Sequence, residues 1–213
     1  MITLRPEIIR TDRLTLLPLQ VEHADEMATV LSDPGLHTFI GGAPETAEAL
    51  RARYRRWAAG SPDPAEAWCN WVIELRDAAA LAGTVQATIT ADDRGATAEI
   101  AWVVGTPWQR RGIATEAVRG LVARLRKPLD PPVAPVPAVH TVVAHIHPDH
   151  RASAAVAAAA GLTPTDRWHD GEVSWQLDLG RGPLDVGRGP DRSVPGENAV
   201  RSPRAGHARL DPS

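Results

Sequence analysis

The chain predicts an α/β (α+β) fold, with a mixed central sheet of about seven strands flanked by about four helices. Three observations lead there. β-favouring runs alternate with stretches of helical periodicity throughout residues 1–179, which form one domain. Three successive runs, 68–75, 83–90 and 97–104, are separated only by short turns, the pattern of an antiparallel meander. From Gly180 onward a Gly-Arg-Gly-Pro unit recurs and apolar residues become sparse. Residues 180–213 therefore read as a disordered tail, unable to bury enough surface to offset the ordering of its backbone.

Each element has its own signal. Leu14-Thr15-Leu16-Leu17, ahead of Pro18, marks a first strand within 8–19. Val21, Ala24, Met27, Ala28 and Leu31 recur at helical spacing until Asp33-Pro34-Gly35 stops them. A second helix over 44–59 opens at Thr46 and closes near Gly60. The meander follows, with Asp92-Asp93-Arg94-Gly95 as its second turn. A third helix, 114–127, places Ala117, Val118, Leu121, Val122 and Leu125 on one face. The proline-dense connection 128–137 excludes helix and central strand. A strand over 139–146, a short helix over 151–160 closed by Gly161, and a strand pair over 162–168 and 172–179 complete the domain.

Bulk properties narrow the function. The 213 residues, 43% hydrophobic, can bury one substantial core. A net charge of −3 gives no basis for nucleic acid or an anionic membrane as main partner. A lone cysteine, Cys69, excludes an internal disulfide and suits a reducing compartment. The first residues lack a signal-peptide apolar core, and the longest small-apolar run, 152–162, is too short to span a bilayer. A cytoplasmic protein is expected.

The junction from Val103 to Ala117 carries the chemistry. A strand enters a polar loop bearing Arg110, Arg111 and Gly112, and the loop opens directly into a helix. The first N–H groups of a helix have no internal partner, and the helix dipole adds positive potential there. Gly112 allows an anion close to the backbone, and the two arginines add charge. Neither the Gly-x-x-x-x-Gly-Lys-Ser/Thr nor the Gly-x-Gly-x-x-Gly nucleotide loop is present. Taken alone, the same residues also suit a solvated arginine pair at a helix start.

The run Gln109-Arg110-Arg111-Gly112-Ile113-Ala114 resembles the Gln/Arg-x-x-Gly-x-Gly/Ala signature of the GNAT acyltransferase superfamily. The resemblance covers about residues 8–179, with the order strand, two helices, three strands, helix, strand, helix, two strands. It is closest to the Rim-type branch of ribosomal-protein N-terminal acetyltransferases. Shared features are the opening Thr11-Asp12-Arg13-Leu14-Thr15-Leu16, Trp68-x-x-Trp71-Val72-Ile73, and the strand Ala98-Glu99-Ile100-Ala101-Trp102-Val103-Val104. It implies the GNAT acyl-CoA N-acyltransferase fold, and an acetyltransferase moving acetyl from acetyl-CoA to a primary amine by direct transfer in a ternary complex. The acceptor stays open between a small molecule, an aminoglycoside-like compound included, and a protein N-terminus. So do acyl-chain length and a homodimer.

The resemblance also assigns residues. Trp102, Val103 and Val104 line the pantetheine arm, the N–H of Val103 or Val104 receives the thioester oxygen, and Gln109, Arg110, Arg111, Gly112, Ile113, Ala114 and Thr115 hold the pyrophosphate. Glu99 is the candidate general base. Strand alternation places it with Thr97, Ala101 and Val103, where partial desolvation would raise its pKa. The alternative is a solvent-facing strand residue paired with an arginine. Ser153, in Pro148-x-His150-x-x-Ser153, matches a serine that supports the coenzyme sulfur, and His150 stands where the family has a coenzyme-binding asparagine, its imidazole still able to donate to an amide carbonyl of the coenzyme. Ala157 stands at the family's tyrosine acid, and the only tyrosine, Tyr54, lies in another helix, leaving Ser153 or water as acid. These departures motivate the alternative of a catalytically inactive GNAT domain binding coenzyme A or a protein partner. Trp68, Trp71 and Trp168 are candidates for the acceptor pocket, and Asp33, His37 and Glu66 could favour a cationic amine. His140, His145, His147 and His150 offer zinc-like spacing, but the family needs no metal and none is expected.

Overall fold

The computed structural model describes residues 6–92, 95–127 and 138–180. The proline-dense connection, the middle of the Asp92–Gly95 turn and the expected tail beyond Gly180 lie outside the described residues. The expected first strand is split in two, β1 (Ile9–Arg10) and β2 (Leu14–Pro18). Thr11 causes the break, because its hydroxyl accepts the N–H of Leu14 at 3.1 Å and its own N–H bonds the Leu14 carbonyl at 3.0 Å. A 3-10 turn then leads into α1 (Ala24–Val30). The loop expected after it contains a 3-10 turn capped by Asp33 and the four-residue α2 (His37–Ile40). Its shortness hid it from any periodicity argument. α3 (Ala47–Ala59) begins where Thr46 accepts the N–H of Ala49 at 3.2 Å, and ends at Gly60, with φ 88°.

The meander comprises β3 (Glu66–Leu75), β4 (Ala80–Asp92) and β5 (Gly95–Val104). There follow α4 (Ile113–Leu125), β6 (Val139–Ile146), α5 (Arg151–Ala159), β7 (Thr163–His169) and β8 (Glu172–Asp178). All eight strands join one sheet in the order β1-β2-β3-β4-β5-β6-β8-β7. Only β5 and β6 run parallel; every other pair is antiparallel.

The two faces of the sheet differ, as period-2 alternation requires. One carries Leu14, Leu16, Trp71, Ile73, Val85, Ile89, Ile100 and Val142 against Val118, Leu121 and Leu125 of α4 and Ala157 of α5. Burying each of the larger aliphatic side chains in this layer contributes roughly 1.5–3 kcal/mol. On the other face α1 and α3 cover only one end, where Met27, Leu50 and Tyr54 pack on Leu19, Val72 and Leu81. The rest of that face stays open, and the site lies there.

Candidate active site

The site begins with a fork. β5 pairs with β6 only from Ala96↔Val139 to Glu99↔Val143, whereas β4 stays paired with β5 as far as Gly83↔Val104. Beyond Glu99, β6 keeps to β8, through Ile146↔Val173. From Ile100 to Val104 β5 therefore has no strand on its β6 side among the described residues. Hydrogen-bond parity shows which amides face the gap. The N–H of Gly105 turns toward β4, bonding the Ala82 carbonyl at 2.9 Å, and that of Ala96 turns the other way, to Ala138 at 3.2 Å. Alternation then aims the N–H groups of Trp102 and Val104 into the gap and that of Val103 toward β4. Of the two expected oxyanion donors, Val104 is the one so placed, and Trp102 joins it.

The loop after β5 is held from two sides. Gln109 is exposed, yet its side-chain amide donates to the Val104 carbonyl at 3.0 Å. Arg110 and Gly112 both take left-handed backbone angles, φ 59° and 76°. The N–H groups of Gly112, Ile113, Ala114 and Thr115 make no hydrogen bond among the described residues. The carbonyl that another helical turn would offer to Thr115 is that of Arg111, and it accepts from the Arg13 guanidinium at 3.0 Å. Arg110 and Arg111 are exposed, the latter over the Trp108 ring.

Glu116 locks this first turn to the N-terminal segment. Its carboxylate accepts from the Thr11 hydroxyl at 2.6 Å, the Arg13 N–H at 2.8 Å and the Arg13 Nε at 2.6 Å. Burial opposes its ionisation, but these hydrogen bonds outweigh it and hold the carboxyl below its ordinary range. The family-like opening Thr11-x-Arg13 thus has a physical role, bracing the anion loop from behind. Asp33 adds a second brace, accepting from the Thr106 hydroxyl at 2.5 Å and from the N–H of Gly35; both hold its carboxyl low.

On the open face of the sheet lies a cavity of ≈ 1080 Å³. Its floor is Thr84, Gln86, Thr88 and Thr90 of β4, Glu99, Ala101 and Val103 of β5, and His145 of β6. Ser153, His150, Glu66 and Glu172 stand in its walls. Glu99 is on the expected face but is not desolvated: its side chain is 48% exposed, and its ionisable neighbour is His145, with Nε2–Oε2 at 3.9 Å, rather than an arginine. His150 is committed to the cavity mouth, where its ring stacks on Phe39 of α2 at 4.3 Å. Burial, and secondarily the nearby His147, hold its pKa below the ordinary value. Ala157 is fully buried in the core, so its position faces no substrate.

The expected tryptophan pocket is corrected. Trp71 is buried on the opposite face, donating to the Glu7 carbonyl at 2.7 Å, and Trp168 is 61% exposed. Trp68 donates to Glu66 at 3.3 Å and, like the other two, is not in the cavity lining. Trp57 and Trp102 line it instead. The histidines are dispersed: His140 pairs with Asp92 at 2.9 Å, His145 with Glu99, and His147 and His150 flank Phe39. No group of three metal-ligating side chains occurs among the described residues.

Residues 13–163 match the family model of the acetyltransferase (GNAT) domain. The chain belongs to the GNAT acetyltransferase family. It is an acetyl-CoA-dependent acyltransferase with the GNAT fold. Solved structures agree on the architecture. A GNAT-family acetyltransferase from Bacillus anthracis has 17% identity and a TM-score of 0.64, covering 81% of this chain and 99% of that one. RimL, a ribosomal L7/L12 alpha-N-protein acetyltransferase solved with coenzyme A, has 16% identity and a TM-score of 0.62, covering 81% and 98%. A microcin C7 self-immunity acetyltransferase, solved with acetyl-CoA and AMP, has 17% identity and a TM-score of 0.60, covering 79% and 93%. A sequence search of curated proteins returns no match. Among the described residues no helix is long and apolar enough to cross a membrane.

Proposed function

We propose that this GNAT domain acetylates a primary amine by direct transfer from acetyl-CoA within a ternary complex. One observation carries the reading: the fork between β5 and β6 leaves the Trp102 and Val104 amides without a strand partner beside a cavity that Trp102 and Val103 line, one loop ahead of the unbonded amides at the start of α4. A coenzyme can enter along one side of the sheet and an amine from the other.

Each residue then has a task. The N–H groups of Gly112 to Thr115 bind the diphosphate, and Arg110 and Arg111 balance its charge. The N–H groups of Trp102 and Val104 stabilise the developing oxyanion. Val103 lines the arm with its side chain, and His150 holds the mouth closed around it. Glu99 draws the ammonium form of the acceptor into place. Ser153, in the first turn of α5, delivers a proton to the departing sulfur, directly or through water. The acceptor is an amine small enough for the cavity or a chain terminus threaded into it.

Calorimetry with acetyl-CoA tests the loop. In Gly112→Asp a negative charge meets the diphosphate and a left-handed position takes a side chain, so affinity falls on the order of tenfold or more. Equal affinity in a folded variant overturns the loop assignment. Release of free thiol from acetyl-CoA is then followed with a serine-initiated peptide, spermidine and an aminoglycoside. Binding with no thiol released by any of them counts against acetyl transfer to amines.

A further inference from the structure

Glu99 is the acid that the strand pattern singles out, yet the fork gives a different side chain the better position. We infer that His145 takes the proton from the acceptor amine and that Glu99 acts on it as a positioning partner. This inference rests on the acetyl-transfer reading above.

The register fixes the geometry. Glu99 pairs with Val143, the last β5–β6 pair, so His145 stands two residues further along β6, level with Ala101. It shares the open face with Glu99, because residues paired in register point to the same side. Along the strand direction it therefore stands two residues beyond Glu99, toward the level of the Trp102 and Val104 amides proposed to hold the thioester oxygen. His145 is also the more enclosed of the two, with its side chain 17% exposed against 48% for Glu99. The His169 ring of β7 closes it from behind at 5.0 Å, and Glu99 lies within ion-pair range at 3.9 Å. Glu172 of β8 and His147, just past the end of β6, are further ionisable groups in the cavity wall.

The chemistry favours the imidazole. A base works best when its pKa lies near the working pH, and the ordinary histidine value of about 6.5 meets that better than about 4.3 for glutamate. In the step, the ammonium nitrogen gives one proton to His145 Nε2, and Glu99 stabilises the resulting imidazolium. The freed lone pair forms the C–N bond at the thioester carbon. The C–S bond breaks as the oxyanion collapses, the sulfur leaves with the electron pair, and the second nitrogen proton passes to it by way of Ser153. The products are an amide and a free thiol, and the imidazolium returns its proton to solvent.

The test compares pH–rate profiles of wild type, His145→Gln and Glu99→Gln, using acetyl-CoA and the fastest of the three amines named above. His145→Gln should lower kcat/KM by roughly a hundredfold or more at pH 6.5 and move the acid limb up to the amine's own ionisation, with acetyl-CoA affinity unchanged. Glu99→Gln should keep that limb but shift it to lower pH, since the imidazolium loses its carboxylate. An acid limb at its wild-type position in His145→Gln, or moved up only in Glu99→Gln, overturns the inference while leaving acetyl transfer standing. No thiol release by wild type with any amine overturns both. If His145→Gln does not fold, NMR titration of the His145 imidazole in wild type and Glu99→Gln decides, and identical titration midpoints refute the pairing.

Discussion

Removing the Glu116 carboxylate isolates the brace behind the coenzyme loop. In Glu116→Ala three hydrogen bonds disappear together, from the Thr11 hydroxyl, the Arg13 N–H and the Arg13 guanidinium. A hydrogen bond to a charged group contributes roughly 1.5–3 kcal/mol. The guanidinium bond counts for less, on the order of 0–1 kcal/mol, because the Arg13 side chain is 56% exposed while that of Glu116 is 18% exposed. Water replaces part of what the other two lose, so the net cost is about 2–4 kcal/mol. In a domain of this size that is a fall in Tm of roughly 4–16 °C. The pH dependence gives a second signature. The carboxyl is held below its ordinary value, so its stabilisation is fully present above about pH 4.3 and fades as pH falls through the folded-state value. Urea unfolding of wild type and variant should show a constant gap from pH 7 to about 5 that narrows in more acid solution. A Tm within about 1 °C of wild type at pH 7 would refute the brace, as would a gap that fails to narrow.

Two other expectations concern the sheet. In Gly83→Ala a Cβ would lie 2.1 Å from the Val103 carbonyl oxygen, a backbone atom that can move only if β4 and β5 separate. The cost should reach about 3 kcal/mol or more, and a urea midpoint equal to that of wild type would contradict it. Cys69 is buried on the core face, and burial pushes its thiol up to about 12. Reaction with a thiol reagent should therefore follow global unfolding; a rate unaffected by urea would contradict this.

How far the sequence revealed this site depended on whether a signal was local. The core face of β5, the apolar stripe of α4 and the Thr46 cap are properties of a few adjacent residues, and each stands as read. The Gln109–Thr115 loop was legible as a turn into a helix for the same reason. What came from afar was not. Arg13 and Thr11 meet Glu116 across about a hundred residues of chain, and only the tertiary fold shows that the opening motif serves the loop. The exposure of Glu99 depends on how far α1 and α3 reach over the sheet, which strand alternation does not report. Trp71 and Trp68 read from sequence as aromatic wall residues, but Trp71 projects from the opposite face and Trp68 turns to Glu66.

The fork itself has a cause in the same strands that line it. Between Ala96↔Val139 and Thr97↔Thr141, β6 carries one residue, His140, that has no partner position on β5. An extra residue of this kind bends the strand that holds it and increases its twist. His140 is fixed there, with its ring bonded to the Thr141 hydroxyl at 2.8 Å and to Asp92 at 2.9 Å. Three residues later β6 makes its last pairing with β5, while β4 and β8 keep their own partners to the end. One histidine set at the start of β6 thus turns the strand, and a second, His145, stands where the opening it makes meets the cavity. The histidine spacing that suggested a metal cluster instead divides between shaping the gap and lining it.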